Sequence, residues 1–167
     1  ETVDQALRGL ARDCAATGQP LPIIRAARLT ADQFEVYLDE PTTLPAPWTG
    51  TADAAVWRFE ADHQPDLDTD DLHTIPAPYP SLVTIGKDTE DETGLIFLDL
   101  EYLGSLGLTG PRQLTRQAVA ALAIELASSP WADDLTVTIV GDYADLEGTL
   151  RSGRIVYVPT LEKLLDR

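Results

Sequence analysis

The sequence predicts one α/β domain whose mixed sheet is antiparallel in its N-terminal part and parallel in its C-terminal part. Two observations lead to this fold class. Short runs of alternating apolar and polar residues in the N-terminal half are typical of half-buried antiparallel strands. Residues 99–141 then read as a strand, a glycine-proline turn, a long apolar helix and a second β-branched strand, which is a β-α-β unit.

Residues 1–60 are predicted to form one helix followed by antiparallel strands. Apolar side chains recur at helical spacing over residues 2–17, and Gly18 marks the end of that helix. A proline-rich loop at residues 41–51 excludes a helix or central strand, and Trp48 is expected to pack this loop onto the body. The predicted strands of this part are residues 23–29, 34–38 and 54–60.

Residues 61–80 are predicted to be a long, acidic, proline-rich surface loop. It carries the chain's most metal-like cluster, in which aspartates at every second position resemble the start of a calcium-binding loop. Asp71 replaces the glycine of that loop, and Ala77 stands where its bidentate glutamate belongs, so we interpret the cluster as a solvated acidic loop and predict no cofactor. The weak metal candidates are His63, Asp66, Asp68, Asp70 and His73.

Residues 81–167 are predicted to form the β-α-β core. This part begins with a β-hairpin, whose two strands are joined by an acidic turn. The helix of the β-α-β unit starts at Arg112 and stops at Ser129-Pro130. The predicted strands are 81–86, 95–100, 105–110, 136–140 and 154–158, with a short helix at 143–150 and a last one at 160–166.

The turn before that helix is P-loop-like but incomplete. A working phosphate loop reads G-x-x-x-x-G-K-[ST], in which backbone N–H groups, the lysine and the hydroxyl hold phosphates and magnesium. In GLTGPRQLT, residues 107–115, the second glycine comes too early, no Gly-Lys-Ser/Thr follows, and Pro111 removes an amide. No catalytic residue is predicted here. The candidate anion-binding residues are Gly107, Thr109, Gly110, Arg112 and Arg116, with Asp142 following the next strand.

The charge balance limits the classes of partner. The chain has 28 acidic and 12 basic residues and a net charge of −16. Phosphate backbones and anionic membrane surfaces are repelled by such a surface, so nucleic-acid binding is not predicted and basic protein partners are favoured. Cys14 is the single cysteine, which excludes an intrachain disulfide and predicts a buried thiol. No apolar run is long enough for membrane insertion, and the absence of methionine indicates a fragment of a larger protein.

Two resemblances add to this interpretation. The segment 107–141, with SSPWADDL before TVTIVG, resembles a degenerate ATPase module of the FtsK/SpoIIIE type. The combination of PAPW, APYPSLVTIG, FLDLE, GLTGP and SPWADDLTVTIVG is similar to a region of large actinobacterial membrane proteins that carry LysM-like segments and a bacterial transcriptional activation domain. That resemblance implies a cytoplasmic module beside membrane helices, and it supplies no catalytic residues.

Two functions are therefore expected from the sequence. The first is a non-catalytic regulatory or scaffolding interaction module that binds other domains of the same chain or a signalling partner, with Trp48 and Trp131 as candidate docking residues. The alternative is a nucleotide or anion sensor that uses the helix start at Gly110–Arg116 without efficient hydrolysis. An enzyme whose site leaves no local motif is a third hypothesis.

Overall fold

A computed structural model describes residues 2–63, 69–72, 74–91, 93–133, 135–146 and 153–166. The fold is mixed α/β, with a six-stranded antiparallel sheet and a small two-stranded parallel sheet. The helices are α1 (Thr2–Thr17), α2 (Thr69–Leu72), α3 (Leu100–Leu103), α4 (Arg112–Ser128) and α5 (Leu161–Leu165). The strands are β1 (Ile24–Leu29), β2 (Gln33–Leu38), β3 (Thr49–Gly50), β4 (Val56–Glu60), β5 (Leu82–Lys87), β6 (Leu95–Asp99), β7 (Val137–Val140) and β8 (Ile155–Val158).

The large sheet has the strand order β3-β4-β2-β1-β6-β5, and its neighbouring strands are antiparallel. β2 shows why its sequence forms a half-buried strand: Phe34, Val36 and Leu38 point into the core, while Glu35 and Tyr37 lie on the opposite face. The predictions of α1, β1, β2, β4 and the β5–β6 hairpin are confirmed.

The main core lies on one face of this sheet. α1 contributes Leu7, Leu10 and Cys14 to it, and the proline-rich loop contributes Trp48. Three aromatic rings meet there: Trp48 lies 5.4 Å from Phe59 and 6.3 Å from Phe34 between ring centroids. Burial with nearby Asp13 raises the pKa of the Cys14 thiol, which keeps it protonated and unreactive near neutral pH.

The predicted single mixed sheet is wrong. Among the described residues β7 pairs only with β8, in parallel, and these two strands form a sheet separate from the antiparallel one. The predicted strand at 105–110 is also wrong, because this segment lies exposed and pairs with no strand among the described residues. Gly104, with φ of 67°, ends α3 and starts this extended connection.

The helices of the C-terminal part agree with prediction more closely than its sheet does. α4 spans the predicted residues, and α5 is capped by Thr160, whose side chain accepts a hydrogen bond from the Lys163 N–H. The predicted helix at 143–150 is a 3-10 turn at Ala144–Leu146, and residues 147–150 lie outside the described residues. A small second core joins α4 to the parallel strands through Ala123, Ile139 and Leu146.

Candidate functional site

Backbone geometry requires a glycine at one of the two candidate positions before α4. Gly110 has φ of 150°, a backbone conformation that L side chains rarely adopt, whereas a Cβ on Gly107 would meet open space. Pro111 precedes the first helical residue, and no side chain caps the helix there. Backbone geometry alone therefore explains why position 110 is a glycine.

Arg112 and Arg116 both face carboxylates of the loop after β7. Arg116 donates to the backbone carbonyl of Asp142 at 2.9 Å and to the Asp145 carboxylate at 2.5 Å, and its guanidinium lies 5.2 Å from the centroid of the Tyr143 ring. Arg112 lies 3.5 Å from the Asp142 carboxylate, and its side chain is 89% exposed. An anion at this helix start would compete with two aspartates for both cations.

The open cavity at this helix start has a volume of ≈ 470 Å³ and includes Thr109, Gly110 and the two arginines in its lining. The structure therefore brings together the predicted residues of the helix start. Gly107, the remaining candidate, does not line this cavity. What the residues form is a surface turn in which Arg116 is held by Asp145 and Arg112 forms a solvent-exposed pair with Asp142.

The predicted metal cluster falls mostly outside the described residues. Asp66, Asp68 and His73 lie there, as does the side chain of Asp70. His63 is described, and its ring packs edge-on against Phe59 with centroids 5.3 Å apart. Within the described part of the chain, no group of three or more His, Cys, Asp or Glu side chains is placed to hold a metal ion.

The two candidate docking tryptophans are largely taken up by internal packing. Trp48 is 5% exposed within the main core. Trp131 is half-buried, packs 6.2 Å from Phe97 and donates its indole N–H to the Leu82 carbonyl at 2.8 Å. Little of the Trp48 ring remains for a partner to contact, and the Trp131 indole N–H is already taken.

A different surface is open, and the sequence analysis did not single it out. The α4 groove consists of two neighbouring apolar cavities along α4, with volumes of ≈ 400 Å³ and ≈ 370 Å³. Both are lined by Leu106 and Leu108 of the extended connection and by Leu122 of α4. The further apolar lining comes from Ile85, Leu98, Leu100, Ala118, Val119, Ala121, Ala123, Leu126, Val137 and Ile139.

Helix α4 has an apolar sequence, yet few of its residues are buried. Among its residues only Ala123 and Ala127 are buried, and Leu114 is 61% exposed. Leu106 and Leu108, opposite the helix, are 41% and 38% exposed. The signal in the sequence is that α4 is apolar on more than one face, which is typical of a helix covered on more than one side.

One wall of the groove ends at a blocked sheet edge. β5 is the outer strand of the large sheet, and its outward backbone groups at Leu82 and Thr84 are occupied by side chains. The Thr84 N–H donates to the Glu125 carboxylate at 2.8 Å, and the Leu82 carbonyl accepts from Trp131. These two contacts block pairing of another strand at that edge.

Glu35 is the most buried acidic residue of the large sheet, and its contacts are structural. Glu35 accepts hydrogen bonds from Arg58 at 2.7 Å and from Arg28 at 3.2 Å. Burial opposes its ionisation, but the two arginines outweigh it and lower the pKa of Glu35. A carboxylate held ionised by two cations is a poor general acid or base near neutral pH.

Comparisons with protein-family models, with curated proteins and with solved structures gave no match. None of the helices that the structure describes has the length and apolar content needed to cross a bilayer.

Proposed function

We propose that this chain is a non-catalytic interaction module, a regulatory or scaffolding part of a larger membrane-linked protein, and that the α4 groove is its docking surface. The observation that carries the proposal is the exposure of the groove's leucines. Leu106 and Leu108 of the connection that precedes α4 line both cavities of the groove, and each is more than one-third exposed. Contiguous exposed apolar surface of this kind is characteristic of protein interaction sites.

The shape of the groove also supports docking. Its two cavities lie on either side of the same connection, so that Leu106 and Leu108 stand between them. Peptide-binding grooves are commonly apolar troughs beside a helix, into which a partner inserts spaced aliphatic side chains. The setting in a membrane-linked, cytoplasmic protein rests on the sequence resemblance alone.

The chemistry around α4 favours docking over anion sensing. A sensor needs cations whose charge is free for the ligand, whereas Arg116 is held by Asp145, Tyr143 and a backbone carbonyl. The chain's net charge of −16 adds long-range repulsion for any phosphate. For these reasons we propose the interaction function and not the sensor.

Site-specific photo-crosslinking tests the proposal. A photo-reactive residue replaces Ala121 in the groove or, as a matched control, Leu165, which is 78% exposed on α5 and does not line the groove. In the source cell's extract we expect a discrete product from position 121 that Leu106→Ser together with Leu108→Ser abolishes. The same products from both positions, or products that survive the serine variant, would contradict docking at the groove.

A further inference from the structure

We infer that the occupant of the α4 groove is a basic amphipathic helix, a conclusion that rests on the proposed docking function. It follows from the groove's lining, its blocked backbone edge and the charges beside it. Its aliphatic side chains would lie against Leu106, Leu108 and Leu122, and its lysines or arginines would lie beside Glu125.

The backbone around the groove favours a helix over a strand. A partner that adds to a sheet needs free N–H and C=O groups along an edge. At β5 those groups at Leu82 and Thr84 are taken by Trp131 and Glu125. A helix satisfies its own backbone and needs only apolar contacts from its host, which is what the groove offers.

The charges of the chain favour a basic partner. The described ion pairs place arginines against the chain's own carboxylates, as in Arg112 with Asp142 and Arg116 with Asp145. With 28 acidic and 12 basic residues, the surplus charge of the chain is acidic. A second copy of this chain brings another net charge of −16, so self-association at the groove is opposed.

The acidic surplus near the groove lies toward the C-terminal half of α4. Glu125 lines the groove. Among the described residues, Glu125 forms no ion pair with a lysine or arginine. The C-terminal end of a helix also carries partial negative charge, so both features attract cations to the same end of the groove.

A displayed library tests the inference. Its peptides of about 18 residues, roughly five helical turns, carry leucines at i, i+4 and i+7 and randomised polar positions. Selection is made on the native chain, on the variant with Leu106→Ser and Leu108→Ser, and on the control with Leu161→Ser and Leu165→Ser. We expect peptides rich in lysine and arginine that bind the native chain and the control but lose binding to the groove variant.

Three further measurements separate the possible outcomes. Glu125→Gln should weaken a selected basic peptide roughly 1.5- to 5-fold, because one surface charge pair is lost while the new side-chain amide oxygen can still accept from Thr84. A central proline in the peptide should abolish binding. Sedimentation of the native chain should show a monomer.

Each contrary result has its own meaning. Neutral or acidic peptides that depend on the groove would overturn the inferred charge of the partner and leave the docking function standing. Binding that survives the central proline would overturn the helix, and dimerisation through the groove leucines would identify a second copy instead. A selection with no peptide that depends on Leu106 and Leu108 would overturn both the inference and the docking function.

Discussion

Arg8 is the residue that connects the N-terminal helix to the loop after α4. Its side chain is 1% exposed and pairs with Asp4 at 2.8 Å and Asp133 at 2.5 Å. It also donates to the carbonyls of Ile75 and Pro130. The hydrogen bond from Arg8 is the largest cause of the lowered pKa of Asp133. One buried cation thus holds three distant segments of the chain together.

Arg8→Met is expected to lower the free energy of unfolding by about 3–5 kcal/mol, because it leaves Asp4 buried without its cation. Arg12→Met on the same helix is the matched control. Its pair with Asp13 is partly exposed, so a change of about 1 kcal/mol or less is expected. Denaturant unfolding of the three proteins measures both values, and equal losses in the two variants would contradict the role given to Arg8.

Glu35 gives the large sheet a pH dependence. Its pKa is lowered in the folded chain, since hydrogen bonds from Arg58 and Arg28 outweigh burial. Its contribution to stability is therefore complete above the unfolded value of about 4.3, and is lost as the pH falls through the lower folded value. Between about pH 5 and pH 3 we expect the melting temperature of the native chain to fall more steeply than that of Glu35→Gln. Parallel melting curves for the two proteins over that range would refute this.

At the scale of elements, the hydrogen bond between Glu125 and the edge strand β5 can be tested directly. Glu125→Ala removes the acceptor of the Thr84 N–H, and hydrogen exchange at that amide should become about 5- to 10-fold faster, equivalent to about 1 kcal/mol. Glu125→Gln retains an acceptor and serves as the control, with exchange expected to stay close to the native rate. Unchanged exchange at Thr84 in the alanine variant would show that the contact does not protect the edge.

Elements with a strong local pattern could be predicted from the sequence. α1 has apolar residues at helical spacing and Gly18 at its end, where φ is 67°. β2 alternates inward Phe34, Val36 and Leu38 with outward residues. In such segments the local preference and the tertiary environment agree, so the pattern is sufficient.

The segment 105–110 shows why other elements could not be predicted. Leu106 and Leu108 alternate with small residues as in a strand, yet they line an open groove instead of a sheet. Whether such a run forms a strand depends on a neighbour elsewhere in the chain, which local spacing does not specify. The same holds for Arg8 and Asp133, which meet across 125 positions, and for the α4 groove, which four separate segments build.

At the scale of the whole molecule, the charge sets how partners approach. With a net charge of −16, association with a basic partner is expected to be fast at low salt and slower as salt screens the long-range attraction. Apolar contacts in the groove depend much less on salt, so the dissociation rate should change little. Stopped-flow measurements of both rates across salt concentrations test this, and an association rate insensitive to salt would contradict an electrostatic approach.

We propose that the α4 groove, and not the turn at Gly110–Arg116, is the surface that binds a partner. The most direct measurement is a ¹⁵N NMR titration of the native chain with two probes, a helical peptide of leucines and lysines and millimolar magnesium ATP. We expect the peptide to shift the amide signals of Leu106, Leu108 and Leu122, and the nucleotide to shift none at the helix start. Shifts at Gly110 and Arg116 with the nucleotide, together with a groove unaffected by the peptide, would contradict the account.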